Sequence, residues 1–471
     1  MAVVVDTGVF VSAADTHEPR HEACAELLRA HRGEMLVPAP VMAETAWQAA
    51  GPVVDAETGF QLARYAPRDT QPGPTPTMGR VSVPGPFGSG NPFEGLFGEL
   101  AKLFATQGPL NLEVARQLAK WLATEGKAEA NVEPLERIRY EELARVAELH
   151  ISGATGLAPA PGGGVVNIRP VGRGEWANLT LDAYRSFFEG LAGAMAAPAA
   201  DGDPDDAADP TTELLGGVTQ VVGPLLIGMQ AGTMVGHLAQ RAFGQYDLPV
   251  PRPSSHELLV VPSNVNAFAT DWSLPLDDVR LWVCLTELAH HSIISRPHVH
   301  GRLDALLDEY VRGFRPDTSV FEERMGDIDP TDPTSFQAVL GDPAELLGAM
   351  QTPEQRQILV RVEALVTVIC GYVDHVMDTV GRTLLGAYGP LSEALRRRRV
   401  ERGDGDQFVE RMFGLELGQA QYDRGSAFVT GVLERAGDEG LSRLWRSERE
   451  LPTPPEVDAP GLWLERIDIP D

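Results

Sequence analysis

The sequence predicts a mainly α-helical protein with a small strand region, preceded by a short α/β segment. From Pro92 onward, apolar residues recur at three- and four-residue spacing through most of the chain, which is the period of a helix with one buried face. Near the start, the apolar runs Val3–Val5 and Met35–Val37 are typical of buried strands, and a helical pattern over residues 17–31 lies between them.

Composition shifts divide the chain into four predicted parts. Residues 1–67 form the α/β segment, and residues 68–91 form a linker, since five prolines and five glycines fall within these 24 positions. Residues 92–450 form the main helical domain, and residues 451–471 form an acidic, proline-rich tail. A length of 471 residues is sufficient for such a multi-part organisation.

Within the main domain the apolar periodicity predicts several helices and one clear strand. The strand is Glu257–Val261, a run rich in leucine and valine. The predicted helices span residues 134–150, 276–294, 299–313, 353–385 and 408–436.

An uncharged segment, Leu214–Gln240, requires a separate interpretation. Gly228, Gly232 and Gly236 repeat at a four-residue spacing within it, a pattern that lets two helices approach closely. Polar residues and Pro224 interrupt the segment, and basic flanks are scarce. We therefore predict a buried core helix in close contact with another helix, and no membrane span.

The charge balance limits the classes of partner. Lysine and arginine number 39 against 67 aspartates and glutamates, a net charge of −28, which argues against broad nucleic-acid binding. One dense basic run, Arg396–Arg399, stands out. Three widely spaced cysteines predict no disulfide framework, and the N-terminus lacks the basic region of a signal peptide, so we expect a cytoplasmic protein.

The motif with the clearest chemistry lies in the predicted helix over residues 276–294. Glu287 is followed three residues later by His290, which is the second half of the His-Glu-x-x-His signature of zinc peptidases. In the full signature two histidines on one helix face bind zinc, and the glutamate polarises the zinc-bound water. Thr286 occupies the position of the first histidine.

Several separated pieces extend this motif to a family resemblance. They are, in chain order, Asn91–Leu100, Gly244–Pro249, Val261–Val265, Thr286–His290 and Gly371–Asp374. Together they resemble the zincin-like metallopeptidases of actinobacteria, which are often labelled hydrolases and of which one branch is tied by name to coenzyme F420 biosynthesis. The resemblance implies a mainly helical zincin-like core, with His-Glu-x-x-His on one helix and Glu-Gly-x-x-Asp on a later one.

The departures from this family pattern fall on the metal ligands. Thr286 replaces a histidine, and Cys370 aligns with the glutamate of the later motif, while Asp374 is retained. If zinc is bound, the resemblance implies His290, Cys370 and Asp374 as the candidates to hold it and Glu287 as the general base. In the structural alternative, Glu287 and His290 pair across one helix turn, Cys370 is a core residue, and Asp374 belongs to a buried polar network.

The first residues resemble a second family. Val3–Phe10 and Val37–Glu44 are similar to the opening of a PIN domain, a metal-dependent ribonuclease fold. The resemblance implies that Asp6 and Glu44 hold Mg²⁺ or Mn²⁺, hard cations that prefer clustered carboxylates. The later acidic residues of that fold are not recognisable before the linker begins, so we expect a partial PIN-like segment without ribonuclease activity.

The interpretation that combines these observations is a zincin-like hydrolase relative with a degenerate metal site, non-catalytic or weakly hydrolytic, that acts on a protein or peptide partner. An active zinc metallopeptidase with a rebuilt ligand set is one alternative. A magnesium-dependent ribonuclease centred on Asp6 and Glu44 is another, and a purely structural or interaction role is the third.

Overall fold

A computed structural model of the chain provides its architecture. It describes residues 3–4, 35–36, 110–159, 166–196, 227–253, 255–313, 352–401, 413, 415 and 418–470. The chain divides into two compact units, residues 1–88 and residues 89–471.

In the first unit, two short strands pair in parallel. β1 is Val3–Val4 and β2 is Met35–Leu36, with Val3 opposite Met35 and Val4 opposite Leu36. Both strands fall within the apolar runs that predicted them, and their parallel pairing fits an α/β opening, since parallel strands need a crossover between them. The helix predicted between these strands, over residues 17–31, lies outside the described residues.

The second unit is mainly α-helical, as predicted. Its described helices are α1 (Leu112–Thr124), α2 (Pro134–Thr155), α3 (Arg173–Ala183), α4 (Arg185–Ala196), α5 (227–241), α6 (Pro262–Asp271), α7 (Leu276–Ile294), α8 (Pro297–Arg312), α9 (Pro353–Leu384), α10 (Tyr388–Val400), α11 (Gln419–Ser442), α12 (Pro454–Val457) and α13 (Pro460–Asp468). Short 3₁₀ turns at Gln245–Asp247, Arg443–Trp445 and Glu448–Glu450 join some of them.

A two-stranded parallel sheet lies among these helices. β3 (Asn167–Pro170) pairs with β4 (Glu257–Val260) over four residues. At the end of β4, Gly244 forms an antiparallel bridge with Val260. The amide of Val261 also donates to the carbonyl oxygen of Phe243, at 2.8 Å. These bonds attach the Gln245–Asp247 turn to the sheet and so fix the position of that turn.

α5 confirms the prediction of a buried helix in close contact with another for the described part of the segment, while residues 214–226 lie outside the described residues. A methyl group added at Gly232 would lie 2.7 Å from the carbonyl oxygen of Ala115 in α1, and one at Gly236 would lie 3.0 Å from that of Ala119. Only glycine permits this separation. In the described part of the chain, the structure contains no helix long and apolar enough to cross a membrane.

The longest of the described helices, α9, packs along α11 through two glycines. A Cβ atom added at Gly425 would lie 3.0 Å from the Cα atom of Gly371, so the two backbones touch at this crossing. Because the helices approach so closely at Gly371, this glycine fixes the position of the neighbouring Asp374 on α9.

Thr352 starts α9 with a capping box, in which its hydroxyl accepts from the amide of Gln355 at 3.2 Å.

The helix predicted over residues 408–436 begins later than expected and ends where expected. It begins at Gln419, after Gly418 in an extended conformation, while residues 408–412 lie outside the described residues. Gly437, with φ 61° and ψ −164°, is not helical, so the regular helix ends before it and a second short helix continues to Ser442. The helix predicted over residues 134–150 continues to Thr155.

The proline-rich tail packs against the helical unit. Pro454 and Pro460 lie in the first turns of α12 and α13, where proline is tolerated because those amides have no helical partner. Trp463 is fully buried, and its indole N–H donates to the carbonyl oxygen of Glu450 at 2.7 Å. The last twenty residues thus contribute a large side chain to the core.

Candidate functional site

Residues from five helices, α5, α7, α9, α10 and α11, and from the Gln245–Asp247 turn line one cavity of about 100 Å³. α7 contributes Thr286, Glu287 and His290, α9 contributes Asp374, and the end of α10 contributes two arginines. The buried, mostly apolar α7 positions its three polar side chains on adjacent turns, because residues three and four apart share a helix face. Four of the residues singled out from the sequence therefore meet here.

Glu287 is bonded to main chain rather than to His290. Its carboxylate accepts from the amide of Gln245 at 2.9 Å and from the amide of Tyr246 at 3.1 Å. Both donors belong to the turn that the sheet anchors. A Cβ atom added at Gly244 would lie 2.8 Å from the Cγ atom of Glu287, so glycine is required where the carboxyl group approaches the turn. Through these contacts Glu287 holds the Gln245–Asp247 turn against α7.

Burial changes the ionisation of Glu287. Its side chain is almost completely buried, and this desolvation, with the nearby charge of Asp247, raises the pKa of the Glu287 carboxyl to about 8. The amides of Tyr246 and Gln245 oppose this rise, since they donate to the charged form. At pH 7 the carboxyl group is therefore mainly neutral.

His290 directs one nitrogen at the backbone and the other into the cavity. Nδ1 lies 2.9 Å from the carbonyl oxygen of Thr286, and because a carbonyl can only accept, Nδ1 carries the proton and Nε2 the lone pair. Nε2 is buried and has no hydrogen-bond partner among the described residues. The ring stacks on Tyr246 at a centroid distance of 5.7 Å. Burial lowers the pKa of His290 to about 4, so the ring is neutral.

Thr286 also leaves a polar atom without a partner. Its hydroxyl oxygen is buried, and within the described ranges no donor or acceptor contacts it. Thr286 and His290 are one turn apart and line the same cavity. Buried polar groups normally have hydrogen-bond partners, so two such atoms at one place indicate space for another molecule.

Asp374 forms an ion pair with Arg399. Two parallel hydrogen bonds join the guanidinium and the carboxylate, at 2.7 and 2.8 Å. The guanidinium also lies 3.6 Å from the ring centroid of Tyr422, a cation–π contact. Arginine and carboxylate match well in this bidentate geometry, so both oxygens of Asp374 are already occupied.

Arg398, like Arg399, bonds to an aspartate and lies over an aromatic ring. Arg398 donates to Asp247 at 3.3 Å and lies 3.6 Å from the ring centroid of Phe243. The other oxygen of Asp247 accepts from the amides of Phe243 and Gly244, at 2.7 and 2.9 Å. Asp247 thus links α10 to the turn that Glu287 closes.

Cys370 lies beside the cavity rather than in it. Its thiol belongs to a separate small pocket shared with Thr367, Gln421 and Tyr422. Burial and the charge of Asp374 raise the pKa of Cys370 to about 12. The group is therefore a protonated thiol at neutral pH, and Tyr422 stands between the two pockets, because it lines both.

Tyr246 and the two arginines are site residues that sequence reasoning did not assign. Tyr246 bonds through its hydroxyl to Nδ1 of His291, at 2.9 Å. The signals were the turn containing Tyr246 and the basic run Arg396–Arg399, but neither signal indicated which side chains face inward. Asp6 and Glu44, the candidate magnesium ligands, lie outside the described residues.

We compared the chain with known proteins. A family model of zincin-like metallopeptidases matches residues 110–464, and a PIN domain model matches residues 3–71. A crystal structure from Chloroflexus aurantiacus, described as that of a "putative hydrolase with a novel fold", is similar with a TM-score of 0.55 and 27% sequence identity. The match covers 77% of this chain and 100% of that one. A search of curated proteins gives no match.

The helical fold and a cavity lined by Glu287 and His290 define a protein of the zincin-like class. The family match spans most of the sequence, from residue 110 to residue 464. The chain belongs to the zincin-like metallopeptidase family, and the resemblance noted from the sequence is confirmed at this level. No match links it to actinobacteria or to coenzyme F420, and both details stay predictions.

Proposed function

We propose that this protein is a zincin-like hydrolase relative in which an ion-pair network has replaced the zinc site, so that it does not act as a zinc peptidase. One observation carries the proposal. The carboxylate of Asp374, the family acid on the second helix, is held by Arg399 through two hydrogen bonds. A guanidinium carries the positive charge that a metal ion would bring to this carboxylate.

The chemistry of the remaining donors supports the proposal. Zinc sites in hydrolases need three protein ligands, usually imidazole, carboxylate or thiolate. His290 offers one imidazole, Thr286 offers a hydroxyl that is a poor zinc ligand, and Cys370 is a neutral thiol in another pocket. In the ranges that the structure describes, no three His, Cys, Asp or Glu side chains form a group able to hold a metal ion. This donor set does not fit catalytic zinc.

The position of Glu287 supports the same conclusion. A general base must reach the proton that it removes from the attacking water. The Glu287 carboxyl group instead bonds to two amides of the Gln245–Asp247 turn, which hold it against that turn. We therefore assign Glu287 a structural role, and propose that the protein acts by binding a ligand or a protein partner.

Peptide hydrolysis by the full-length chain tests this proposal. We expect no hydrolysis of a fluorogenic peptide mixture that depends on both added zinc and Glu287. The Glu287→Gln variant keeps the size of the side chain and removes its basicity, so it is the matched control. Zinc-dependent cleavage by the natural sequence that is lost in Glu287→Gln would overturn the proposal and favour an active zinc peptidase with a rebuilt ligand set.

A second candidate function concerns the N-terminal unit. The PIN domain match over residues 3–71 and the parallel pairing of β1 with β2 favour magnesium-dependent cleavage of RNA, with Asp6 following β1. Incubation of RNA with the full chain and Mg²⁺ or Mn²⁺ tests it. Cleavage that is absent in Asp6→Asn would support this function, and equal cleavage by both proteins would exclude it.

A further inference from the structure

Helix α2 has two apolar faces, and only one of them is buried in the core. The buried face consists of five residues, Tyr140, Leu143, Ala144, Ala147 and Ile151. The opposite face carries four apolar side chains that are 42% to 74% exposed, Leu135, Ile138, Val146 and Leu149. Apolar side chains exposed side by side on a folded protein commonly mark a contact with another molecule. We propose that this exposed face binds the same face of a second copy of the chain, in an antiparallel pair of α2 helices.

The residues of this face are placed symmetrically along the helix. The α2 stripe, as we call it, consists in chain order of Leu135, Ile138, Glu142, Val146 and Leu149. Steps of three, four, four and three residues separate them, and such steps keep all five on one helix face. The order of steps is the same from either end. In an antiparallel pair centred on Glu142, Leu135 therefore faces the partner's Leu149, and Ile138 faces the partner's Val146.

The charged residues beside the stripe favour the antiparallel orientation. Glu141 and Arg145 are exposed, and within the described ranges their side chains form no hydrogen bond or ion pair. In the pair centred on Glu142, Glu141 and the partner's Arg145 lie on the same side of the two helices, about 3 Å apart along the axis. In a parallel pair they lie on opposite sides. The antiparallel pair thus joins opposite charges that have no partner within one copy.

Glu142 sets the register of the pair. Its carboxylate accepts from Arg139 on the same helix, at 3.4 Å, so each of the two carboxylates that meet at the centre has a guanidinium beside it. A polar residue within an apolar helix contact fixes the alignment, because a shifted alignment places it against leucine or isoleucine instead. The centre of the stripe therefore specifies which residues face each other.

A groove beside the stripe can receive a side chain of the partner. Its volume is about 820 Å³, and its lining includes Leu135 and Ile138 of the stripe together with Pro262 at the start of α6. In the antiparallel pair, this end of α2 faces the partner's Leu149, which is 72% exposed. The groove provides a place in which that leucine becomes buried. Two-fold symmetry produces the same contact twice in each dimer.

The length of α2 limits the strength of the pair. The helix has 22 residues and is therefore about 33 Å long. A contact one helix wide falls at the low end of specific interfaces, which bury less than about 1,200 Å². We therefore expect a reversible dimer with a Kd on the order of 10 µM rather than a permanent one.

Sedimentation velocity of the full-length chain, from about 1 to about 200 µM, tests the inference. We expect the dimer fraction to rise with concentration over this range. Leu149→Ala should weaken the dimer by at least about tenfold, because the symmetric contact loses a buried leucine twice. Leu462→Ala on α13 is the matched control, since Leu462 is also exposed, at 55%, and lies outside the stripe. The control should dimerise like the natural sequence.

A charge reversal tests the orientation. Glu141→Arg and Arg145→Glu each bring like charges together twice in the antiparallel pair, so each variant alone should dimerise about tenfold more weakly. Mixing the two variants restores opposite charges at both positions, and the mixed dimer should form with about the natural affinity. Native mass spectrometry identifies the mixed dimer when one variant carries an affinity tag that changes its mass.

Three results would overturn the inference. A chain that stays monomeric throughout the concentration range would assign the stripe to another protein or to another part of this chain. A dimer that Leu149→Ala and Leu462→Ala affect equally would place the contact elsewhere. A dimer that forms through the stripe but shows no preference for mixed variants would exclude the antiparallel arrangement. These results do not depend on zinc content or peptide hydrolysis, so the proposed function is tested separately.

Discussion

Arg399 and Asp374 lie side by side in the cavity wall and are joined by two hydrogen bonds of 2.7 and 2.8 Å, at the position where the zincin-like family is expected to hold a metal. The two residues come from different helices, α10 and α9, so their pairing also joins these helices. Both side chains are only partly exposed, at 21% and 28%. The pair is therefore better shielded from solvent than the other arginine contacts of α10 with Glu393.

Arg399→Ala should destabilise the protein. Removing one member of a shielded pair leaves the Asp374 carboxylate without its partner, and we expect the free energy of unfolding to fall by about 2 kcal/mol. Arg397→Ala is the matched control, since Arg397 pairs with Glu393 at a 62% exposed position and such a pair contributes at most roughly 0.5 kcal/mol. Chemical denaturation measures both. Equal losses in the two variants would contradict a special role for the Arg399–Asp374 pair.

Stability should depend on pH through Glu287. Burial, with the charge of Asp247, raises the pKa of Glu287 from 4.5 in its ordinary environment to about 8 in the folded chain. Between these values the folded state holds a proton that the unfolded state has released, so the stability that this group contributes is full below pH 4.5 and is lost as pH rises towards 8.

Glu287→Gln isolates this effect, because glutamine does not titrate. The difference in unfolding free energy between the natural chain and Glu287→Gln should fall with rising pH over this window, by on the order of 1 kcal/mol per pH unit. Denaturation curves at several pH values provide the measurement. A difference that rises with pH would mean that the carboxylate is ionised in the folded state and stabilised by the amides of the turn.

Gly244 and Glu287 should be energetically coupled. Gly244→Ala places a methyl group against the buried Glu287 carboxyl group, and overpacking of this kind costs about 1–3 kcal/mol. The φ angle of Gly244 is −153°, so alanine adopts this backbone conformation without strain and the cost is steric. In a Glu287→Ala background the methyl group has room, so the cost of Gly244→Ala should largely vanish. Additive losses in this double-mutant cycle would show that the two side chains do not meet.

The ion-pair network should be convertible into a metal site. Thr286→His restores a second imidazole one turn from His290, and Arg399→Ala releases Asp374, so the double variant has three ligands on the cavity wall. We expect Co²⁺ to bind the double variant at least about tenfold tighter than Thr286→His alone, as followed by visible absorption. Adding Asp374→Asn should remove the gain. Equal affinity with and without Arg399 would argue that this residue does not block the site.

The sequence predicted the helix that carries the site but not the groups that surround it. The bounds of α7, Leu276–Ile294, are those expected from apolar periodicity, because the buried face of a long helix requires apolar residues at three- and four-residue spacing. Asp374 was placed near His290 through the family resemblance. The pairing of Arg398 with Asp247 joins residues 151 positions apart, and no local pattern encodes such a contact.

The run Arg396–Arg399 is a second example of what the sequence could not predict, namely which side chains of a helix face inward. Arg396 and Arg397 are mainly exposed and pair with Glu393, whereas Arg398 and Arg399 turn inward. Four successive arginines look alike in sequence, and only the packing of α10 distinguishes them. The role of Glu287 was also hidden, because its partners are backbone amides of a turn some 40 residues away.

The zinc content of the purified full-length chain tests the central claim most directly. The protein would be equilibrated with zinc, passed into metal-free buffer and analysed by inductively coupled plasma mass spectrometry, beside His290→Ala. If an arginine has taken the place of the metal, both proteins should contain far less than one zinc ion per chain. One zinc ion per chain in the natural sequence, lost in His290→Ala, would contradict the account.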